Sequence, residues 1–276
     1  MRQTEILNGI ATDLRIQIVD AIYRAKSGHP GGSLSVVEIL TALYFDVMKH
    51  NPNDPHDGGR DRFVLSKGHA APALYAALAH AGYFPADEMG TLRRLDAMLQ
   101  GHPDMKGTPG VDFSTGALGI GISAACGMAI AARIYGDDYR VYTVVGDGEL
   151  QSGLVWEAAM FAAHNKLDNL MVIVDNNGLQ IDGRVEDVMN PNPIADKFRA
   201  FGWEVGQADG HDFNALFSAF DTAKETKGKP FALVAKTVKG KGVSFMENNA
   251  AWHGAAPSEE QHKLAISELR GEVVAS

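Results

Sequence analysis

Apolar residues recur every three or four positions in the first third of the chain, and this spacing is typical of amphipathic helices. The pattern covers the N-terminal segment and returns at residues 36–48 and 72–81. The turn-rich sequence NPNDPHDGGRD, at residues 51–61, separates the last two segments. We therefore predict that the first third of the chain is helical and rich in loops.

The pattern changes near residue 139, where short apolar runs replace the helical spacing. These runs predict strands at residues 141–145, 169–175, 202–208 and 231–236. Helical spacing between and after them predicts helices at residues 154–164, 212–226 and 257–274. Strands that alternate with helices favour an α/β fold in which helices flank a parallel sheet. Because no repeat or linker interrupts the pattern, we expect a single domain over residues 1–276.

The charge balance limits the partners that the chain can bind. Its 25 Lys and Arg residues stand against 34 Asp and Glu residues, which gives a formal net charge of −9. No run of basic residues is longer than a pair, so the sequence lacks the basic surface that nucleic acids and anionic membranes attract. We predict no nucleic-acid partner and no membrane partner, and an anionic ligand would have to be bound by local groups.

One apolar stretch, residues 117–132, could be mistaken for a membrane span. It has only 16 residues, too few to cross a bilayer, and contains several small ones. We predict a buried helix whose small residues let another element or a ligand approach closely. The single cysteine, Cys126, excludes a disulfide within the chain and a cysteine-rich zinc site. A reducing, cytoplasmic location fits this cysteine content.

Two glycine-containing motifs follow two of the predicted strands. Gly146-Asp147-Gly148 follows the first, and Asn176-Asn177-Gly178 closes the next strand after 27 intervening residues. Parallel strands end at the same edge of a sheet, so Asp147 and Asn177 can face one site. With the main-chain carbonyl of Leu179 they would supply three oxygen ligands. Mg²⁺ prefers oxygen ligands and commonly takes the remainder from phosphates and water.

This pair of motifs resembles the thiamine diphosphate motif, in which a GDG triplet is followed at about this distance by a double asparagine. Five further segments resemble, in order, the N-terminal half of transketolase. They are SGHPGGS at 27–33, LSKGHAAPALYA at 65–76, LQGHPD at 99–104, STGALGIG at 114–121 and WHGAAP at 252–257. The resemblance covers nearly the whole chain and implies the fold of the diphosphate-binding domain. It identifies the chain as similar to the N-terminal subunit of a split transketolase.

The resemblance implies two cofactors, thiamine diphosphate and Mg²⁺, with Ca²⁺ or Mn²⁺ able to replace the magnesium. It assigns the metal to Asp147, Asn177 and the main chain of Leu179. It assigns the organic cofactor to His69, Gly116, Ala117, Leu118, Gly146, Asp147, Gly148, Asn177, Ile181 and His253. The implied reaction moves a two-carbon ketol unit from a ketose or ketose phosphate to an aldose or aldose phosphate.

Four of the ten histidines stand apart from the others because each is flanked by glycine or proline in a predicted loop. They are His29, His69, His102 and His253. Loops of this kind can present a side chain into a cavity, and imidazole can donate, accept and move protons near neutral pH. The resemblance implies catalytic roles for three of them: His29 and His253 would contact the sugar and assist proton transfer, and His102 would bind hydroxyls of the two-carbon fragment. His69 would border the cofactor.

A partner is implied because transketolases carry their activating glutamate and their phosphate-binding arginines outside the matching half. We expect a C-terminal subunit with a pyrimidine-binding and a C-terminal domain, an α2β2 assembly, and sugar or sugar-phosphate substrates. Two positions depart from the family pattern: Ser152 stands where a glutamate is common, and Ile120 where a glutamine is usual. Neither is a proposed metal ligand.

Two other interpretations remain open at this stage. The chain could be the α subunit of a thiamine-dependent 2-oxo acid dehydrogenase, although SGHPGG, LQGHPD and WHG argue against it. It could also be a non-catalytic regulatory subunit, which the two departures weakly favour.

Overall fold

The structure, a computed structural model, describes residues 3–272. Its strands are β1 (Arg62–Leu65), β2 (Val141–Gly146), β3 (Leu170–Asn176), β4 (Leu179–Gln180), β5 (Gly183–Arg184), β6 (Glu204–Asp209) and β7 (Phe231–Lys236). Within the described residues, a five-stranded parallel sheet has the order β1-β2-β3-β7-β6, and β4 pairs with β5 in a small antiparallel ribbon. The predicted parallel sheet is confirmed, and its four predicted strands are β2, β3, β6 and β7.

The helices cover both faces of this sheet. They are α1 (Thr4–Ala25), α2 (Pro30–Leu34), α3 (Val37–Ala42), α4 (Ala71–His80), α5 (Ile120–Tyr135), α6 (Gly153–His164), α7 (Val185–Met189), α8 (Ile194–Ala200), α9 (Phe213–Glu225) and α10 (Glu259–Leu269). On one face α1, α3, α4 and α9 pack on residues such as Ile173, and on the other α5, α6 and α8 pack on Val172 and Val174. Burial on both faces explains why the inner strands β2, β3 and β7 are apolar along most of their length.

The predicted helices of the first third correspond to α1, α3 and α4, and the segment after α3 continues as a turn of π-helix, Leu43–Val47. The sequence analysis missed β1, an edge strand of four residues. So short a strand shows hardly any alternation. Strand β1 nevertheless extends the sheet beyond β2. The loop after β1 therefore starts at the same edge of the sheet as the loops after β2 and β3.

The apolar stretch 117–132 forms α5, but the expectation that this helix is buried is wrong in part. Only one of its faces packs on the sheet, through residues such as Ile122 and Ala129, while Ile120, Ser123 and Gly127 are exposed. Helix α5 begins after Gly119, whose φ of +86° suits glycine. No helix within residues 3–272 is long and apolar enough to cross a membrane. The predicted C-terminal helix is α10, and residues 273–274 of that prediction lie outside the described residues.

Candidate active site

A cavity of about 290 Å³ opens at the carboxyl edge of the sheet, beside the ends of β1, β2, β3 and β7. Ligands gather at this edge in parallel α/β sheets because the loops leading to the next helices converge there. The walls come from segments far apart in the sequence. They include His29, Gly32, Lys67, His69, Gly116, Leu118, Gly146, Asp147, Gly148, Glu149, Gln151, Asn177, Leu179, Gln180, Ile181, Lys239 and His253.

Asp147 and Asn177 lie together, as the strand order predicts. Gly146, the first residue of one motif, and Asp175, the residue before the other motif, are opposite one another in the β2–β3 pairing. The buried carboxylate of Asp147 accepts hydrogen bonds from the backbone N–H groups of Gly148, at 2.8 Å, and Gly178, at 2.5 Å. Burial, followed by the charge of Asp175, raises the pKa of Asp147 to about 7. A cation beside this carboxylate would stabilise its charged form.

The side-chain amide of Asn177 has a fixed orientation. Its Nδ2 donates to Asp175 Oδ2 at 3.0 Å, and its Oδ1 accepts from the Leu179 N–H at 3.1 Å. Asp175 is fully buried and also accepts hydrogen bonds from Ser35, Lys67 and Thr237. Burial opposes its charge, but the Lys67 ammonium and the hydrogen bonds from Lys67, Thr237 and Ser35 together outweigh that effect, so the pKa of Asp175 lies below its usual value. The sequence analysis missed this carboxylate.

Two lysines that no sequence motif predicted approach the cavity from the ends of β1 and β7. Lys67 follows β1 and forms an ion pair with Asp175, while its Nζ also donates to the Gly32 carbonyl at 2.9 Å. Lys239 follows β7, is 2% exposed, and places its Nζ 2.9 Å from His253 Nδ1 and 3.4 Å from the Leu179 carbonyl. Their signal in the sequence is that each lies just beyond the end of a strand.

Lys239 differs from Lys67 in having no carboxylate of the described chain within ion-pair distance. Burial, followed by the charge of Lys67, lowers the pKa of Lys239 to about 8. A buried ammonium at a cavity wall without a carboxylate partner is costly, and an anionic group in the cavity would offset that cost. Lys239 therefore marks the cavity as a site for an anion.

Three of the four predicted histidines come together at the cavity wall. The ring centroids lie 5.5 Å apart for His29 and His69, 5.4 Å for His29 and His253, and 5.0 Å for His69 and His253. Burial is the main cause that lowers the pKa of His29 to about 4, that of His253 to about 3, and that of His69 well below its usual value. All three rings are neutral near pH 7. Because Lys239 can only donate, His253 accepts through Nδ1 and carries its proton on Nε2.

His102 is exposed and lies beside the cavity rather than in its wall. A Cβ atom placed on Gly116 would be 3.3 Å from the His102 ring, which puts this histidine against the predicted cofactor segment. Burial, followed by the charge of Arg93, lowers the pKa of His102. The Arg93 guanidinium packs on Gly101 and forms no ion pair within residues 3–272, a feature that no sequence pattern indicated.

The remaining predicted residues divide into those that line the cavity and one that does not. Gly116, Leu118, Gly146, Gly148 and Ile181 line it, whereas Ala117 is exposed outside it. The structure shows where the predicted residues lie relative to the cavity. Their binding and catalytic roles remain predictions.

A third carboxylate at the cavity, Glu149, was not expected. It is buried and accepts hydrogen bonds from Ser66 Oγ at 2.5 Å, from the Gly119 N–H at 2.7 Å and from the Gly146 N–H at 3.1 Å. Burial raises its pKa despite these bonds. One side chain thus ties together the loops that follow β1 and β2 and the residue that precedes α5.

The comparisons with known proteins agree with this architecture. Residues 6–270 match the family model described as transketolase, thiamine diphosphate binding domain. The chain is 47% identical over 262 residues to a 6-deoxy-6-sulfo-D-fructose transketolase subunit of a Clostridium species, covering 95% of each protein. It is 43% identical over 267 residues to one of the subunits of the apulose-4-phosphate transketolase of Phocaeicola vulgatus, covering 97% of this chain and 95% of the relative.

Longer transketolases match over part of their length. The chain is 40% identical to the transketolase of Pongo abelii and spans 43% of that protein. It superposes on the crystal structure of the Campylobacter jejuni transketolase with a TM-score of 0.92 and 37% identity, covering 97% of this chain and 43% of that one. The chain belongs to the transketolase family, in which it is a subunit that carries the thiamine diphosphate-binding domain.

Proposed function

We propose that this chain is the N-terminal subunit of a split transketolase that moves a two-carbon ketol unit from an anionic ketose to an aldose or aldose phosphate. The observation that carries the proposal is the cavity at the strand ends. It combines the oxygen ligands of Asp147 and Asn177 with Lys239, a buried cation that lacks a carboxylate partner in the described chain.

The residues of the cavity fit a diphosphate with a divalent metal ion. Asp147, the Asn177 side chain and the Leu179 carbonyl would hold Mg²⁺, or Ca²⁺ or Mn²⁺ in its place. Residues 3–272 contain no group of three His, Cys, Asp or Glu side chains arranged for a metal, so this ion would depend on diphosphate oxygens as well. Lys239 would neutralise the diphosphate. When bound, thiamine diphosphate supplies the electron sink that lets a two-carbon fragment leave a ketose.

The histidines perform the proton and hydroxyl chemistry in this proposal. His29 and His253 are neutral near pH 7. His29 can accept or donate a proton at the cavity wall, whereas His253, whose Nδ1 accepts from Lys239, can only donate from Nε2. The proton on His253 Nε2 is available because Lys239 occupies Nδ1. His102, beside Gly116, binds hydroxyls of the two-carbon fragment. The unpaired guanidinium of Arg93 adds positive charge next to His102 and favours an anionic substrate.

The names of two relatives support an anionic substrate. One relative is named for 6-deoxy-6-sulfo-D-fructose and another for apulose 4-phosphate. The first name refers to a sulfonate and the second to a phosphate. We propose the same class for this chain, a ketose that carries a phosphate or a sulfonate.

A second polypeptide completes the enzyme in this proposal. Relatives that the chain matches over almost their whole length are named as subunits, and the chain spans only 43% of a longer transketolase. Large apolar side chains remain exposed just before α5 and on α5 and α6, namely Leu118, Ile120, Leu154, Met160 and Phe161. Patches of this kind are typical of protein interfaces. The partner would carry the pyrimidine-binding and C-terminal domains in a cytoplasmic α2β2 complex.

The test uses the purified chain with saturating thiamine diphosphate and Mg²⁺, with and without the partner subunit. Transfer from xylulose 5-phosphate or hydroxypyruvate to ribose 5-phosphate is measured. We expect no turnover by the chain alone and turnover by the complex. Robust turnover without a second polypeptide would overturn the split-enzyme proposal. Decarboxylation of pyruvate by the complex, without ketol transfer, would instead favour a 2-oxo acid dehydrogenase.

A further inference from the structure

A buried carboxylate outside the cavity connects two residues that hold the segment around Lys239. Glu38, on α3, accepts hydrogen bonds from Arg15 Nη2 at 2.6 Å and 2.7 Å, one to each carboxylate oxygen. His211, in the loop after β6, places Nδ1 2.9 Å from Glu38 Oε2. The side chains of Arg15 and Glu38 are each only 8% exposed. One carboxylate therefore links α1, α3 and the loop after β6.

Arg15 and His211 each hold one flank of Lys239. The Val238 N–H donates to His211 Nε2 at 2.9 Å, and Arg15 Nε donates to the Lys241 carbonyl at 3.1 Å. Because His211 accepts through Nε2, its proton lies on Nδ1 and is donated to Glu38. Glu38 thus fixes the orientation of both groups that bind the backbone on either side of Lys239.

The rest of the segment leaves the Lys239 side chain little freedom. The Lys239 carbonyl accepts from the Asn248 N–H at 2.9 Å, and the Gly240 N–H donates to the Gly31 carbonyl at 2.9 Å. Gly240 has a φ of +80°, so the chain turns directly after the lysine. The aliphatic part of Lys239 packs on Gly31, where an added Cβ would lie 3.0 Å from Lys239 Cγ. The place of the ammonium in the cavity follows from the place of this backbone.

The geometry points to Glu38 as a positioning residue that, through Arg15 and His211, holds Lys239 where its ammonium meets the cofactor diphosphate. The identity of that anion rests on the proposed function, whereas the positioning of Lys239 does not. Burial opposes the charge of Glu38, but the bonds from His211 and Arg15 hold its pKa below the usual value, so the carboxylate is charged. A buried ion pair adds little net stability compared with apolar packing, so positioning is its larger consequence.

The decisive variant is Glu38→Gln. The glutamine keeps the shape of the side chain but must direct an N–H group at either Arg15 or His211. If the amide N–H of the glutamine faces Arg15, two donors oppose each other. If it faces His211, Nδ1 of the ring must accept, so the ring proton moves to Nε2 and opposes the Val238 N–H. Glu204→Gln is the matched control, because it removes an exposed carboxylate that is paired with Lys229.

Two readouts are measured, on the full chain and on its complex with the partner. The first is the affinity of the complex for thiamine diphosphate with Mg²⁺, by calorimetry, for Glu38→Gln, Lys239→Met and the double variant. The second is the ¹⁵N signal of the His253 ring in the full chain, which reports the Lys239 contact. We expect Glu38→Gln to weaken cofactor binding about 3- to 30-fold alone and less than about 2-fold on the Lys239→Met background, and to shift the His253 signals.

The inference would be overturned if Glu38→Gln weakened cofactor binding equally in the unmodified chain and in the Lys239→Met variant, or if it left the His253 signals unchanged. Its effect would then be structural and independent of Lys239. If the His253 signals shift in Glu38→Gln and in Lys239→Met while the cofactor affinity of both variants stays the same, the positioning of Lys239 is supported and the proposed diphosphate contact fails. His211→Phe supplies a second test if Glu38→Gln does not fold. It removes the acceptor of the Val238 N–H, and the same pattern is expected.

Discussion

The two ends of the cavity are built in different ways. The diphosphate end, where we propose that the cofactor diphosphate binds, consists of residues that follow parallel strands, namely Lys67, Asp147, Asn177 and Lys239. The fully buried Asp175 supports it through hydrogen bonds with Lys67 and Asn177. There the carboxylates accept several hydrogen bonds from the chain itself, with Asp147 bound by two backbone N–H groups. Such groups are held in place before any ligand arrives.

The histidine end lies in the segments that connect the strands and the long helices. It is formed by His29, His69 and His253, whose rings pack against one another, with His102 beside them. Within residues 3–272, His253 is the one member of this set whose ring nitrogen has a hydrogen-bond partner, and that partner is Lys239. The other rings keep their nitrogens for a ligand. The diphosphate end is therefore suited to fixed binding and the histidine end to a changing substrate, so substitutions at the two ends should have separable effects.

The largest effect is expected at the diphosphate end, from Asp147→Ala. This change removes the charged metal ligand of the proposed site, so metal-dependent binding of thiamine diphosphate by the complex should fall at least about 100-fold. Calorimetry with Mg²⁺ present and absent measures it. Cys126→Ala, in the core between α5 and the sheet, should leave the affinity nearly intact. Unchanged affinity in Asp147→Ala would show that the metal assignment is wrong.

At the histidine end, His102→Ala should reduce turnover while cofactor binding changes little. Loss of a hydrogen bond to a substrate hydroxyl corresponds to a fall of about 10- to 1000-fold, or about 1.5–4 kcal/mol. Steady-state kinetics and cofactor calorimetry on the complex separate the two quantities. His164→Ala changes an exposed histidine at the end of α6 and serves as the control. An equal fall in cofactor affinity would place His102 at the cofactor instead.

The burial of the histidine end should also appear in the pH dependence of stability. The pKa of His29 is lowered from 6.5 to about 4, so between these values the unfolded chain binds more protons than the folded one. The free energy of unfolding must therefore decrease as the pH falls from about 6.5 to 4.

Between pH 7 and pH 5 the free energy of unfolding of the His29→Asn variant should decrease by about 1–2 kcal/mol less than that of the unmodified chain. Chemical denaturation of the full chain at both pH values gives the difference. His56→Asn, at an exposed turn before β1, should retain the pH dependence of the unmodified chain. The same slope for His29→Asn would mean that burial at the histidine end does not govern the protonation of His29.

The smallest effect is expected from Arg93→Met. The guanidinium lies beside Gly101 and His102 and has no ion-pair partner in the described part of the chain. Its loss should raise the KM of the complex for a phosphorylated ketose by about 3- to 10-fold, the range of a partly screened charge contact. The neighbouring exposed Arg94→Met is the matched control. A KM that rises equally for hydroxypyruvate, which lacks a phosphate or sulfonate, would contradict a contact with that group.

Much of the sheet and part of the site could be predicted because the necessary signals are local. The apolar run at residues 231–236 has the same bounds as β7. The run that predicted β2 differs from that strand by one residue at one end, and the run that predicted β3 differs by one residue at each end. Consecutive strands of a parallel sheet end at one edge, so Asp147 and Asn177 were expected to meet there. Glycine and proline next to the four histidines likewise marked loops.

The charged network had no comparable signal. Lys67 and Asp175 are 108 positions apart, and their ion pair depends on β1, which is too short to show a periodic pattern. Glu38 lies on α3, a helix that its sequence pattern would place against the core. Its partner His211 lies in the loop after β6. Pairing between distant charged residues has no period along the chain, so no window of sequence reveals it.

The amino-acid sequence determined most of the helices and strands, the parallel character of the sheet and the motifs at the strand ends, since periodicity and turn chemistry act over a few residues. Folding in three dimensions determined which charges meet and which apolar faces remain exposed. Helix α5 illustrates the second point: its apolar residues are alike on both sides, yet one side packs on the sheet and the other leaves Ile134 exposed. The transfer of apolar surface from water favours any neighbour equally, and the position of the sheet decides which side is covered.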